Sequence, residues 1–232
     1  MLVALEGVDG AGKATQLRLV SERLRRAGLS TEVISFPRYQ QGVFGDSVAR
    51  FLNGDLGEPG SVPPEFPALL FACDRLEHRQ ELLDLLERAD VVLADRYVAS
   101  NAAYQAARIA GEARSAFLDW LLRVEYEVFE LPRPELQVYL RVAADTARRL
   151  VSMKEARSYT DKRYDVFEND QTLQSAVAER YEDFVARGTG GPWRAIEVAD
   201  AAGTPRPAEA IAESVTAVVL DVLHLRKPDE GV

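Results

Sequence analysis

The chain is poor in several residue types, and each shortage narrows what it can be. It has one cysteine, Cys73, with no second thiol to pair with, so a disulfide framework is excluded. Cys73 lies in an apolar helical stretch and reads as a buried, inert thiol. No apolar run approaches the ~18 residues of a spanning helix, so no membrane partner is expected. The opening Met-Leu-Val-Ala-Leu-Glu has neither a basic region nor a small-residue cleavage site, which predicts no secretory leader and a cytoplasmic protein. Positive charge is also in deficit: 28 Lys and Arg against 37 Asp and Glu leave a formal charge of -9. Such a molecule repels a nucleic acid backbone, so DNA and RNA are not expected as partners, and an anionic ligand must be met by locally concentrated cations. The two histidines, His78 and His224, carry no assigned chemistry.

What is present points to one large α/β domain over residues 1–224, with a polar tail at 225–232. Short apolar runs at 2–6, 31–36, 91–94, 136–142 and 194–198 suit strands covered on both faces. Helical periods separate them, as in Leu17, Val20, Leu24 and Ala27, in Leu173, Val177, Tyr181 and Phe184, and in Ile211, Val215, Val218 and Val222. Alternating strands and helices imply βαβ units and a parallel sheet. Gly28 fits the stop of the first helix, Pro207 stands near the start of the last, and the Gly/Pro-rich stretch 53–67 reads as a long surface connection.

Residues Gly7, Val8, Asp9, Gly10, Ala11, Gly12 and Lys13 fit G-x-x-x-x-G-K between a predicted strand and a predicted helix. Such a loop must turn sharply and aim successive N–H groups at phosphate oxygens, which a Cβ would obstruct. Lys13 adds a mobile charge, and the helix N-terminus adds about half a unit more. Without a ligand the same pattern would be a glycine-rich turn. The hydroxyl that should follow is missing, because Ala14 stands where the pattern has Ser or Thr. Magnesium keeps several waters and needs only one or two carboxylates plus the substrate's phosphates. Asp9 and Asp95 are therefore the candidate metal ligands. Thr15 is turned about 100° further round the helix and is expected at a phosphate.

A phosphate loop alone permits a GTPase switch, an ATPase motor, a kinase or a nucleotide binder. Three further segments discriminate: "FPRY" at 36–39, "FACDR" at 71–75 and "DRYVASNAAYQ" at 95–105. On one helix over 65–88, Phe71 and Arg75 share a face and can stack a flat base and donate to its carbonyl. Periodicity alone makes Phe71 a core residue and Arg75 a solvated charge. Ser100, Asn101 and Tyr104 share a helical face, and their bland reading is a cap followed by an exposed surface. Arg96 can clamp a phosphate bidentately or sit in a structural ion pair.

Together with "DVFEND" at 165–170, these segments resemble the thymidylate kinases, which convert dTMP to dTDP with ATP. The resemblance runs from Met1 to about residue 222 and is most specific in D-R-Y-x-x-S-x-x-A-Y-Q, from Asp95 to Gln105. It implies a three-layer α/β/α P-loop kinase fold with a five-stranded parallel sheet, a small lid at about 152–164, magnesium as cofactor and a homodimer. On the family's pattern Phe71 stacks on thymine, Arg75 contacts the base carbonyl, Asn101 reads the base edge, and Tyr104 packs where an extra ribose hydroxyl would crowd it. Phe36, Arg38 and Tyr39 belong beside the acceptor phosphate, which Arg96 clamps, with Ser100 on the same side.

Residues 141–163 hold seven Lys or Arg against three Asp or Glu, a local excess of positive charge in an acidic chain. Gly10 occupies the place of the loop arginine found in one type of thymidylate kinase. The resemblance is therefore to the lid-arginine type, in which Arg157, with Lys154, Lys162 and Arg163 in reserve, supplies charge to the transferred group. Glu168 matches an acidic position near the acceptor and is a further candidate metal ligand. A phosphate monoester has a second pKa of about 6, so its attacking oxygen is already largely anionic and no general base is required. Two alternatives stand beside this reading: a kinase for another nucleoside monophosphate or a deoxynucleoside, and a P-loop switch protein with no small acceptor.

Overall fold

Four residues of the first strand, Leu2 to Leu5, are fully buried, which requires helices on both faces of it. Alternation divides them. Val3 and Leu5 cluster with Leu17 and Val20 of α1 (Lys13–Arg26) and Val215 and Val219 of α9 (Ala208–Arg226), whereas Leu2 and Ala4 cluster with Leu82 and Leu85 of α4 (Arg79–Arg88). The structure, a computed structural model, describes residues 1–57, 61–155 and 170–226. Within them β1 (Leu2–Glu6), β2 (Thr31–Ser35), β3 (Val91–Asp95), β4 (Leu136–Arg141) and β5 (Trp193–Glu197) form a single parallel sheet in the order β2-β3-β1-β4-β5. The five expected strands are all there, each within a residue or two of its apolar run.

Register pairs Leu5 with Asp95 of β3 on one side and with Val138 of β4 on the other. The loop after β1 and the turn after β3 therefore leave adjacent strands at the same edge, the position at which open α/β sheets bind ligands. Gly28, at φ 85°, ends α1: its N–H donates to Arg25 and that of Leu29 to Leu24, a two-bond termination that a Cβ at this φ would strain.

Three expectations need correction. The helix expected over 65–88 is two, α3 (Glu65–Glu77) and α4, broken at His78, whose ring Nδ1 lies 2.9 Å from the Asp74 carbonyl. That imidazole takes up a carbonyl in the last turn of α3, where the chain changes direction. The surface connection expected over 53–67 ends earlier, because Glu65 already begins α3. No element was expected where α2 (Val43–Leu52), α6 (Ala113–Arg123) and the π-helical turn Val124–Val128 lie. Two more helices complete the site, α5 (Val98–Ala106) and α8 (Gln171–Arg187). The basic segment opens as α7 (Ala144–Glu155), but Arg157, Lys162, Arg163 and Glu168 lie outside the described residues, as does the side chain of Lys154. Among the described residues no helix is long and apolar enough to cross a membrane.

Candidate active site

The loop after β1 takes its shape from glycines at φ values that side chains rarely adopt: 148° at Gly7, 84° at Gly10 and 91° at Gly12. A Cβ on Gly7 would also stand 3.1 Å from the Leu140 carbonyl oxygen. Lys13 is buried and curls over its own loop, donating to the carbonyls of Gly7 (2.9 Å) and Val8 (3.0 Å). Burial, helped by the charge of Arg96, lowers its pKa to about 8, against the opposing pull of Asp9, Asp95 and Glu6. A cation held so poorly by its surroundings is stabilised when an anion arrives. Ala14 and Thr15 follow in the first turn of α1, Ala14 exposed and Thr15 partly so.

Arg96 sits just beyond β3 at φ 61°, a left-handed value for a residue with a side chain. The strand next door pins it, since the Arg96 N–H donates to Leu5 O at 3.0 Å and the Tyr97 N–H to Glu6 Oε1 at 2.8 Å. So aimed, the guanidinium donates to Gly7 O (3.2 Å), to Ser100 Oγ (3.3 Å) and to the carboxylate of Asp9. The ion-pair reading of Arg96 is thus realised in this state, with a residue of the phosphate loop as partner. Asp9 also accepts from the Tyr104 hydroxyl (2.6 Å) and from Gln174 Nε2 of α8 (2.8 Å). Burial would raise the Asp9 carboxyl, but Arg96, Lys13 and these two donors outweigh it and hold it below the usual range. With both oxygens engaged, Asp9 is the hub of a network and not an open ligand for an ion.

Behind this hub lies Glu6, fully buried at the end of β1 and bonded by Tyr97 N–H, by Ser100 Oγ (2.5 Å) and by the hydroxyl of Tyr181 (3.0 Å). Burial keeps its carboxyl above the usual range despite Ser100 and Arg96. On the metal side, Asp95 Oδ1 is buried with no hydrogen-bond partner. Asp95 and Ala14 line one cavity of about 380 Å³, together with Ser35 and Ser21. Among the described residues no group of three or more His, Cys, Asp or Glu side chains could hold a metal by itself. Magnesium takes as few as one or two protein carboxylates, and Asp95, which lines the same cavity as Ala14, is a single carboxylate of that kind.

The residues expected at a base come from separate elements. Arg75 of α3 is buried, not solvated, and forms a two-bond pair with Glu125 of the π-helical turn. Asn101 of α5 donates from Nδ2 to Ala68 O (2.9 Å) and to Glu125 Oε1 (3.0 Å), while its Oδ1 is buried without a partner. Phe71 is half-buried beside Val48, Phe51 and Leu52. The "FPRY" residues are placed separately. Phe36 is a core residue packed on Tyr97, with ring centroids 5.9 Å apart; the Arg38 guanidinium holds Glu81 (2.7 and 2.8 Å); and Tyr39 is 45% exposed.

Beyond this geometry, the sequence that carries Lys13, Arg96, Tyr104, Arg75 and Asn101 is matched by relatives over most of its length. The profile of the family described as "Thymidylate kinase" matches residues 5–189. The chain belongs to the thymidylate kinase family. It is similar to the thymidylate kinase of Mycobacterium tuberculosis, 40% identical over 196 residues covering 84% of this chain and 91% of that one. The probable thymidylate kinase of Pyrococcus abyssi is 30% identical over 183 residues, 78% of this chain and 84% of that one. The solved thymidylate kinase of Candida albicans has the same fold, with a TM-score of 0.69 at 20% identity over 95% of this chain and 91% of that chain.

Four residues of this thymidylate kinase site went unread in the sequence. Glu6 carried a signal, a carboxylate closing an otherwise apolar buried strand; Tyr181 was present only as a member of a helical apolar period, and Gln174 was not singled out at all. Glu125 carried none: its role arises because the chain places it beside Arg75, 50 positions earlier.

Proposed function

We propose that the chain transfers the γ-phosphoryl group of ATP to dTMP, giving dTDP and ADP, as one nucleotide kinase domain over residues 1–224. The observation that carries this is the meeting of two cations, the buried Lys13 and the partly buried Arg96, with Arg96 held off by Asp9. Lys13 and the loop amides of Gly7 to Thr15 bind the donor phosphates. An oxygen of the acceptor phosphate attacks the γ-phosphorus as the bond to the departing ADP oxygen breaks. No proton has to be removed, so positioning and charge neutralisation carry the reaction. Arg96 exchanges Asp9 for the acceptor phosphate, and Ser100 Oγ, already bonded to Arg96, steadies the guanidinium during that exchange. Tyr104, on the hydroxyl of which Asp9 rests, lies toward the sugar, while Phe71, Arg75 and Asn101 take the base.

Asp95 would hold Mg2+, which would supply positive charge to neutralise the phosphates. Arg157 of the basic segment supplies charge to the transferred group. A homodimer is supported by an apolar stripe on α3, where Phe66, Leu69 and Leu76 are each about two-fifths exposed, with half-buried Cys73 between them; the cytoplasm is the compartment proposed for it. The function is tested by measuring ADP release across dTMP, dUMP, dCMP, dGMP and AMP. A strong preference for dTMP is expected, and ATP turnover indifferent to all five would overturn the proposal.

A further inference from the structure

Asn101 is reached from two sides by groups that can only accept. Its Nδ2 donates one proton to the carbonyl of Ala68 at 2.9 Å and the other to Glu125 Oε1 at 3.0 Å. Turning the amide over would set its oxygen against a carbonyl and a carboxylate and leave the NH2 group without either partner. In the low-dielectric interior that arrangement is strongly disfavoured. The oxygen therefore has a single direction, and there it is buried with nothing bonded to it. Arg75 is fixed by the same carboxylate through Nε at 2.8 Å and through Nη2, which leaves both N–H groups of Nη1 and one of Nη2 as its remaining donors.

From this geometry we infer that Glu125 is a positioning residue that decides which pyrimidine the acceptor pocket takes, by locking Asn101 with its carbonyl oxygen toward the base. The inference rests on the acceptor reading proposed above. Thymine presents an N3–H donor beside an O4 acceptor, the complement of one fixed amide oxygen and one arginine N–H. Cytosine presents the reverse, an N3 acceptor beside an amino donor, and meets a lone pair with a lone pair. Uracil has the same edge as thymine, so the lock cannot separate those two. Glu125 reaches this place because the helix after α6 opens into a π-helical turn, with Phe129 N–H donating to Val124 O at 2.9 Å, and its side chain points fully inward.

The test is E125Q, which removes the charge and one of the two acceptor oxygens, sets an NH2 group against a donor of Arg75 or Asn101, and so weakens the hold on Asn101. The expected result is a rise of about tenfold in KM for dTMP with much less change in kcat, and a fall of about tenfold in the dTMP/dCMP ratio of kcat/KM. The dTMP/dUMP ratio should stay unchanged, since a pocket that had merely loosened would lose both preferences together. An unchanged dTMP/dCMP ratio, or a parallel fall in both ratios, would overturn the inference. Should E125Q fail to fold, NMR of the unmodified protein decides: the Asn101 side-chain amide protons, assigned by their loss in N101S, should exchange with solvent far more slowly than those of surface amides. Fast exchange would overturn the lock. If the unmodified protein does not phosphorylate dTMP at all, the acceptor reading falls first and this inference with it. Normal preference in the unmodified protein with no change in E125Q would sink the role of Glu125 alone.

Discussion

Lys13 carries a charge where its surroundings disfavour one, and that makes its chemistry dependent on pH. Its folded-state pKa of about 8 lies below the ordinary 10.5, so the free protein loses the donor-binding cation as pH rises through about 8. The kcat/KM for ATP should fall over that range, while kcat at saturating ATP should hold to higher pH, because bound phosphates favour the protonated amine. A pH profile of both constants checks this. Arg96→Ala should lower kcat by at least about a hundredfold, the scale on which one preorganised charge contact acts, with steady-state kinetics as the measurement. At Asp95 the unpartnered oxygen predicts that Asp95→Asn raises the Mg2+ concentration needed for half-maximal rate severalfold and leaves the melting temperature nearly unchanged. A metal titration identical to that of the parent would remove Asp95 from the metal site.

Helix α8 shows how an element far along the chain completes a loop near its beginning. Its first turn is capped by Asp170, whose Oδ1 accepts from the N–H groups of Thr172 (2.9 Å) and Leu173 (3.0 Å). One residue on, the Gln174 side chain holds Asp9 twice, its Oε1 accepting from the Asp9 backbone N–H and its Nε2 donating to the Asp9 carboxylate. Asp170→Ala should cost about 1 kcal/mol, a drop in melting temperature of roughly 2–4 °C for a chain of this size. The same change should weaken activity by loosening the Asp9–Arg96 pair, which calorimetry and kinetics together would register. Most elements were legible from periodicity because their apolar spacing is a local property. The break at His78 was not, since both halves of 65–88 keep helical spacing and only the Asp74 carbonyl contact marks the change of direction.

Across the whole molecule, a surplus of acidic residues surrounds a small buried set of cations. On that charge balance small anions are expected as ligands and polyanions such as nucleic acid are not. The exposed stripe of Phe66, Leu69 and Leu76 on α3 runs against the polar character of that surface. Introducing a charge there, as in Leu69→Glu with Leu76→Glu, should halve the mass measured by light scattering after size exclusion. A native mass that does not change would place any subunit contact elsewhere.

The phosphate loop, the five strands and the Asp95-Arg96 segment could be read in the sequence, because contiguous residues set glycine spacing, apolar runs and a strand-end turn. The missing hydroxyl at Ala14 was legible for the same reason. Only the tertiary structure decided that Arg96 rests on Asp9, that Arg75 is buried against Glu125, and that Asn101 has one direction for its amide. Those pairings join residues 24 to 87 positions apart. They depend on which strands and helices end side by side, a property of the packed sheet that no local pattern encodes.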